Sequence, residues 1–375
     1  MWLPLRGRGN PCSPWIRPDA PAGYVSEQAP KTPLGCANVS PPLRIDLLTE
    51  PSVTQVRRDA AHQDLPSQPA EEAAAPQVIL SFDVEEHHRI EAAAGVTIDP
   101  ALKAHYCERL EPSTRWLLDQ LERTATKATF FIVGEIAKHN SKLVRAIHQA
   151  GHEIASHGWD HRRVLNMTPA VFRKDVQQSI DALEQVTGEA VLGYRAPTFS
   201  IVHETAWALD VLVELGMAYD SSIYPVRHDR YGVPAAPRSP FMARGTRHAI
   251  LELPPATLRF LGMNAPMGGG GYFRLFPLLF TQWALRQMRA HGRPAVAMLY
   301  FHPWEFDPEQ PRLPLGLLSK FRTYVGIGRS RDRLVSLLGK HRFARAIDVA
   351  KMLTRQLTGL AHFHVTAPES HPQAE

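Results

Sequence analysis

Apolar residues first gather into a strand-length run at Val78-Ile-Leu-Ser-Phe-Asp83, which ends on acids. An unbroken run of this length suits a strand buried on both faces of a parallel sheet. Downstream, a helix is predicted over residues 113–123, a second buried strand over 128–134, and a helix over 135–150 that Gly151 stops. A strand follows over 152–156. Thr168 caps the next helix, Pro169 suits its first position, Phe172, Val176, Ile180 and Leu183 form its apolar stripe, and Gly188 follows its end. Tyr194-Arg195-Ala-Pro197 closes another strand, 203–215 is an apolar-striped helix, and 217–220 is a strand ending on Asp220. Residues 221–275 read as a long irregular insert containing Gly268 to Gly271. A helix over 277–290, a strand over 295–301 ending at His302, and helical segments to about residue 354 complete the pattern. Strand and helix alternate, so the chain is α/β, with right-handed crossovers and a parallel sheet. At this length a closed or partly closed barrel is favoured.

The ends behave differently. Residues 1–76 hold 13 of the 32 prolines and no strand or helix period, which predicts a disordered tail before a folded body over 77–355. Residues 356–375 are expected to be a flexible C-terminal tail. No apolar run approaches the roughly 18 residues of a membrane span, and no secretory signal is visible, so the expected location is cytoplasmic. Cys12, Cys36 and Cys107 form no C-x-x-C pair, which leaves nitrogen and oxygen to hold any metal. The net charge of +5 is concentrated late: residues 320–345 carry eight basic side chains against the single acid Asp332. Such a run is either a solvated helical face or a peripheral contact for anionic glycan, phospholipid or a lipid-linked diphosphate. Nucleic acid is not expected, because the run has neither a recognition motif nor interleaved aromatics.

Polar groups recur where strands end, the place barrel enzymes keep their chemistry: Asp83 and Glu85, His157 and His161, Arg195, Asp220, and His302. His157-Gly-Trp-Asp-His161 places two imidazoles four residues apart, about one helical turn, so that both can face one point. The zinc-protease version of this spacing needs Glu after the first His; here Gly158 stands there. A third ligand and a base must come from elsewhere, and Asp83-Val-Glu85-Glu86 is the acidic cluster available. His87 and His88 are expected to be ordinary hydrogen-bonded residues.

With these motifs in order, the sequence resembles the polysaccharide deacetylase (NodB homology) family, over residues 77–354. Asp83-Val-Glu85-Glu86 matches its acidic motif, His157 to His161 its His-x-x-x-His motif, Arg195-Ala-Pro197 its Arg-x-Pro motif, and Leu299-Tyr-Phe-His302 its leucine-histidine motif. Tyr219 to Pro225, Arg227 to Gly232, Gly269 to Phe273 and His302-Pro-Trp-Glu305 are similar to the branch found with exopolysaccharide and exosortase gene clusters. The resemblance implies a distorted (β/α)7 barrel that hydrolyses acetyl groups from N-acetylated sugars of an exopolysaccharide or chitooligosaccharide-like substrate, which could be lipid-linked. It also implies a divalent metal, zinc first and cobalt, nickel or manganese as substitutes.

The family's second aspartate is replaced here by Val84. Strand parity puts residues 83 and 85 on one face, which favours Glu85 as the third ligand, with Glu86 as the alternative if the strand breaks early. The resemblance then assigns Asp83 as base, Arg195 as the group that keeps it ionised, and a backbone N–H near Thr198 or Phe199 for the oxyanion. His302 becomes the acid, with Asp220 as its partner. Gly268 to Gly271 is expected to form a flexible groove wall. Tyr272 and Trp304 either stack on sugar rings or serve packing. The same superfamily also suggests an amidohydrolase acting on a peptidoglycan sugar or a cyclic ureide, and a barrel that only binds glycan is the non-enzyme reading.

Overall fold

The protein is described here from a computed structural model covering residues 77–355 and 359–366; the tail expected over 1–76 lies outside the described residues. Within them the strands are β1 (Gln77–Val84), β2 (Thr129–Ile132), β3 (Glu153–Ser156), β4 (Gly193–Tyr194), β5 (Tyr219–Asp220), β6 (Phe241–Arg244), β7 (Ala249–Glu252), β8 (Thr257–Phe260), β9 (Met263–Pro266), β10 (Val296–Phe301) and β11 (Ala361–His364). The helices are α1 (Pro100–Arg123), α2 (Gly134–His139), α3 (Ser141–Gln149), α4 (Pro169–Thr187), α5 (Trp207–Glu214), α6 (Gly270–Leu275), α7 (Leu278–His291), α8 (Leu317–Tyr324), α9 (Ser330–Leu338) and α10 (Ala346–Thr354).

The main sheet runs β10-β1-β2-β3-β4-β5-β7-β6-β11, and its first seven strands are all parallel. These seven curl into a barrel whose last seam is irregular. Chain beyond β7 meets β10 through isolated pairings, Pro255 with Met298 and Gly269 with Tyr300. Ala256 N–H donates to Met298 O at 2.9 Å and Tyr300 N–H donates to Gly268 O at 2.8 Å. The result is the expected distorted (β/α)7 barrel, with the distortion located at one seam.

Two expectations need correction. The insert over 221–275 is not irregular: it supplies the seventh barrel strand β7, its antiparallel neighbour β6, the separate β8–β9 hairpin and α6. These four-residue strands are too short to show a period in the sequence. Nor is 356–375 wholly a tail, because β11 pairs in parallel with β6 from Ala361 to His364. Edge pairing needs backbone partners more than apolar side chains, which is why this polar strand was not legible. Two helices also differ. α1 starts at Pro100, capped by Asp99, and Asn140 splits the helix expected over 135–150 by capping α3 through Leu143 N–H at 3.2 Å.

Strand parity sorts the core into two faces. Val78, Leu80, Phe82 and Val84 point outward, into the large apolar layer shared with Leu117, Phe172, Val176 and Leu183 of the surrounding helices. Ile79 points inward beside Phe131, Ala155, Tyr219, Leu251 and Met298, and α10 adds Ala346, Ile347, Val349, Ala350 and Leu353 to that inner cluster. The segment leading into α10 donates from Ala346 N–H to Thr129 Oγ1 and from Ile347 N–H to Glu153 Oε2, on the first residues of β2 and β3. That closes the end of the barrel where strands begin. Ser81 and Asp83 follow Ile79 on the inward parity, toward the end that stays open.

Part of the basic run is engaged within the protein. Arg331 donates to Phe306 O, Arg333 to the carbonyls of Phe273, Arg274 and Phe276, and Arg345 pairs with Asp348 at 2.8 Å. No helix of the described residues is long and apolar enough to cross a membrane.

The glycine run packs against β10. At Gly269 a Cβ would lie 1.6 Å from the Tyr300 carbonyl oxygen, so only glycine lets this segment approach β10. Gly269→Ala is expected to cost about 1–3 kcal/mol, the usual penalty of overpacking. A melting temperature equal to that of the parent would show that the seam can open at no cost.

Candidate active site

β1 delivers Asp83 within the strand and Glu85 just past it, both buried. The parity argument holds for its neighbour as well, because Glu86 turns away to pair with Arg89 at 2.5 Å. β3 delivers His157, and the loop after it delivers His161. The sequence suggested a helical turn for this pair; the structure uses a loop instead, with positive φ at Gly158 (73°) and at His161 (65°). The ring centroids are 5.1 Å apart. This loop is held from outside. Gly134 and Glu135 at the start of α2 donate to Gly158 O and Trp159 O at 2.9 and 3.0 Å, and Trp159 N–H donates to Asp175 Oδ2 of α4 at 2.9 Å. Orphan N–H groups of a helix start thus become the loop's anchor.

Glu85, His157 and His161 each present one ligand atom, all within 4.8 Å of one another. Their chemistry fits a divalent cation. His157 Nδ1 lies 2.8 Å from Arg195 O; as the donor there, it leaves Nε2 free as a ligand. Burial pushes the His157 pKa down to about 4, against the pull of Asp83, which keeps the ring neutral at pH 7. Glu85 Oε2 touches His161 Nε2 yet accepts no hydrogen bond of good geometry, so a buried carboxylate oxygen is left to be satisfied. Although burial opposes it, the adjacent His161 holds the Glu85 carboxyl below the usual range.

Arg195 lies inside the barrel with no exposed surface. Its guanidinium bonds Asp83 Oδ1 at 2.5 Å, Ser81 Oγ and Ser221 Oγ at 3.0 Å each, and Ser221 O at 3.2 Å, and sits 4.0 Å over the Phe131 ring. The Arg-x-Pro turn that follows is strained: Thr198 and Phe199 have φ of 57° and 50°. Of the two oxyanion candidates, Phe199 commits its N–H to Ala196 O at 3.0 Å and packs its ring on Tyr224 and Tyr300. Thr198 lines the cleft beside the site.

His302, at the end of β10, brings Nε2 to 3.6 Å from Glu85 Oε1 and 3.9 Å from Asp83 Oδ2. The expected partner, Asp220, is a misassignment. Asp220 accepts from Ser222 Oγ at 2.5 Å and lies beside Glu252 in the β5–β7 register, whereas His302 Nδ1 is bonded to Glu305 Oε1 at 2.8 Å. Arg274 in turn holds Glu305 Oε2 at 2.7 Å. The Pro303–Phe306 turn brings Glu305 under His302 three residues later, a contact that attention to strand ends alone overlooks. Burial would lower the His302 pKa, but the Glu305 hydrogen bond and the charges of Glu85, Glu305 and Asp83 raise it to about 9. A cation held by Glu85 would offset part of that pull, and Glu305 would remain as the partner.

Trp304 is a buttress. It is only 7% exposed, stacks on His302 at 5.3 Å and directs Nε1 at Glu85 Oε1 at 3.5 Å. Tyr272, half-exposed, lines the cleft together with Tyr231 and the exposed Phe321. His87 is buried with Nε2 on Tyr324 OH at 2.8 Å, as expected of a packed histidine.

A sequence profile described as polysaccharide deacetylase matches residues 76–219, which carry Asp83, Glu85, His157, His161, Arg195 and Thr198. Residues 76–219 belong to the polysaccharide deacetylase family. A second profile, described as a domain of unknown function (DUF3473), matches residues 221–351 and so covers Tyr272, Arg274, His302, Trp304 and Glu305. The deacetylase-family segment is similar to peptidoglycan deacetylase-like protein FGM2 of Gibberella zeae (33% identical over 109 residues, 28% of this chain and 31% of that protein). It is also similar to the peptidoglycan deacetylase of Helicobacter pylori (29% over 107 residues, 28% and 36%). The chain thus spans about a third of the length of these relatives. Among solved structures, a chain described as a probable polysaccharide deacetylase from Pseudomonas aeruginosa PAO1 aligns at TM-score 0.51 with 19% identity, covering 75% of this chain and 91% of that one. The Puue allantoinase aligns at TM-score 0.51 with 18% identity, covering 77% and 95%. At such identity the likeness establishes the fold alone.

Two substitutions test the ligand set by metal analysis after dialysis. Glu85→Gln is expected to lose most bound metal, and Glu86→Gln, whose side chain faces Arg89, to retain it. Equal retention in both would refute the parity assignment. Independently, Arg195→Ala leaves buried Asp83 unpaired and is expected to cost about 3–5 kcal/mol in thermal or denaturant unfolding.

Proposed function

We propose that the chain is a metal-dependent hydrolase that removes acetyl groups from N-acetylated sugars of an extracellular polysaccharide or its precursor. The observation that carries this reading is the convergence of an acid and a base on one ligand triad: His302 Nε2 lies within 3.6–3.9 Å of Glu85 and Asp83, and Glu85 closes the triad with His157 and His161.

Bound by Glu85, His157 and His161, a divalent cation would supply Lewis acidity, acidifying water and polarising the acetyl carbonyl. Asp83 accepts the proton of the attacking water, and Arg195, through the 2.5 Å hydrogen bond, fixes which of its oxygens is free to do so. Thr198 N–H is the donor assigned to the carbonyl oxygen as it gains charge, on the strained turn that follows Arg195. His302 holds the proton the leaving amine needs. Glu305 on Nδ1 fixes the ring so that Nε2 carries that proton, and Arg274 keeps Glu305 ionised and oriented. The amidohydrolase reading uses the same groups on another amide, so substrate must decide between them.

Acetate release from a panel of N-acetylated oligosaccharides, with and without added Zn²⁺, Co²⁺ or Ni²⁺, is the direct test, with allantoin as the cyclic-ureide arm. Turnover of the ureide without acetate release from any glycan would replace the deacetylase reading. Asp83→Asn is expected to keep its metal and lose about two to four orders of magnitude in rate, the usual worth of positioned proton transfer. The pH profile separates the acid. A histidine whose pKa is raised by its carboxylate neighbours is protonated at neutral pH and loses its proton as pH rises through that raised value, so activity falls on the alkaline side. Glu305→Gln removes a group that raises this pKa and is expected to move the alkaline limb to lower pH, while Asp220→Asn leaves it in place. The reverse pattern would restore Asp220 as the partner.

A further inference from the structure

Beside the reacting centre lies a cleft of about 530 Å³ that reaches Thr198, Tyr300 and Trp304 at its inner end. Its outer wall carries an excess of positive charge. Arg227, Arg230 and Arg322 line it, and among the described residues none of the three guanidiniums has a hydrogen-bonded or ion-paired carboxylate. The other charges in the cleft are largely spoken for: Glu91 pairs with Arg163 at 3.1 Å and Arg274 with Glu305 at 2.7 Å. Asp229, 2.9 Å from the His228 ring, is the one carboxylate left to oppose three guanidiniums. A concave wall of protein focuses such a surplus, which makes the cleft a poor place for a neutral ligand to be selected and a good one for an oxyanion.

The arginines are presented on fixed backbone. Val233 N–H and Val226 N–H both donate to Tyr224 O at 2.8 Å, closing the loop that carries Arg227 and Arg230. Gly232, at φ 113°, allows the closure, since a Cβ there would lie 2.2 Å from Val226 O. Tyr231 stacks between His228 (4.0 Å) and Tyr224 (5.7 Å), and Arg163 donates to Arg230 O, tying this loop to the one that carries His161. Arg322 reaches the same cleft from α8, on the opposite side of Tyr272 in the chain. Guanidiniums on a fixed frame suit carboxylate and phosphate, whose oxygens they bond in pairs.

We propose that this cleft binds an anionic unit of the glycan, a sugar carboxylate or a phosphate, next to the acetylated sugar, so that the chain selects acidic over neutral substrates. The deacetylase reading enters only in placing the acetylated sugar at the inner end. All three arginines lie outside the deacetylase-family residues, in the segment of undescribed function, which gives that segment a role in specificity.

The test is calorimetric binding to the full chain, which needs no turnover. The probes are a tetrasaccharide alternating N-acetylglucosamine and glucuronic acid, UDP-N-acetylglucosamine as the phosphate arm, and neutral chitotetraose. At least one anionic probe is expected to bind tenfold or more tightly than chitotetraose at low salt, with the difference shrinking as salt rises. Arg322→Gln and the double variant Arg227→Gln/Arg230→Gln, on separate elements, are each expected to lower the anionic affinity by about tenfold, the order of a charge-assisted hydrogen bond. The arm that responds identifies the anion. Equal affinity for all probes, no binding of either anionic probe, or anionic binding that both variants leave unchanged overturns the proposal. Acetate release from chitotetraose without any anionic preference would refute the cleft and leave the deacetylase reading intact. Arginine-dependent anion binding with no acetate release from any glycan would do the opposite.

Discussion

A guanidinium inside a barrel is costly unless every one of its donors is met, and the site is arranged around meeting those of Arg195. Its partners come from β1 (Ser81 and Asp83), from the turn after β5 (Ser221) and from β10 (Met298), so one side chain just past β4 ties that strand to three others. The same residue's carbonyl receives His157 Nδ1. The position of Asp83, the orientation of His157 and the spacing of the strands therefore rest on one buried ion. Its aromatic neighbours Phe131, Phe199 and Tyr300 shield it from water, which strengthens the Asp83 contact while leaving no alternative partner.

Chemistry is divided along the chain. Residues 76–219 carry Asp83, the Glu85, His157 and His161 triad and the strained turn at Thr198; residues 221–351 carry His302, the Glu305 and Arg274 that support it, and the cleft wall. Barrel closure explains why neither part suffices. β10 pairs with β1 from Gln77 to Phe82, so the strand that ends on His302 lies against the strand that carries Asp83, although about two hundred residues separate them. The seam on the other flank of β10 is where regular pairing fails, and there the chain admits Gly269, α6 and Arg274. The irregular seam is thus the means by which a supporting shell reaches His302.

Trp304 shows how closely the two halves are coupled. Its ring lies between His302 and His87 while its indole N–H reaches toward Glu85, so a residue of the second segment packs the ligand carboxylate of the first. A polar tip on an apolar body serves both contacts at once.

Local pattern by itself determined a good deal. The run from Val78 to Asp83, the Thr168–Gly188 helix and the strand ending at His302 were all legible, because burial on fixed faces writes a period into each. Parity alone separated Glu85 from Glu86, since successive side chains of a strand must alternate. What the sequence could not decide were contacts set by closure and by turns. His157 and His161 meet through two positive-φ residues rather than a helical turn, and the short strands β6, β7 and β11 hold their places by backbone pairing that carries no periodic signature. Asp220 and Glu305 both end up buried near strand ends, and only the fold shows that the first faces Glu252 while the second lies under His302. Periodicity records which face a residue turns to the core; which residue it meets there is fixed by the crossing of elements distant in sequence, and that information exists only once the barrel has closed.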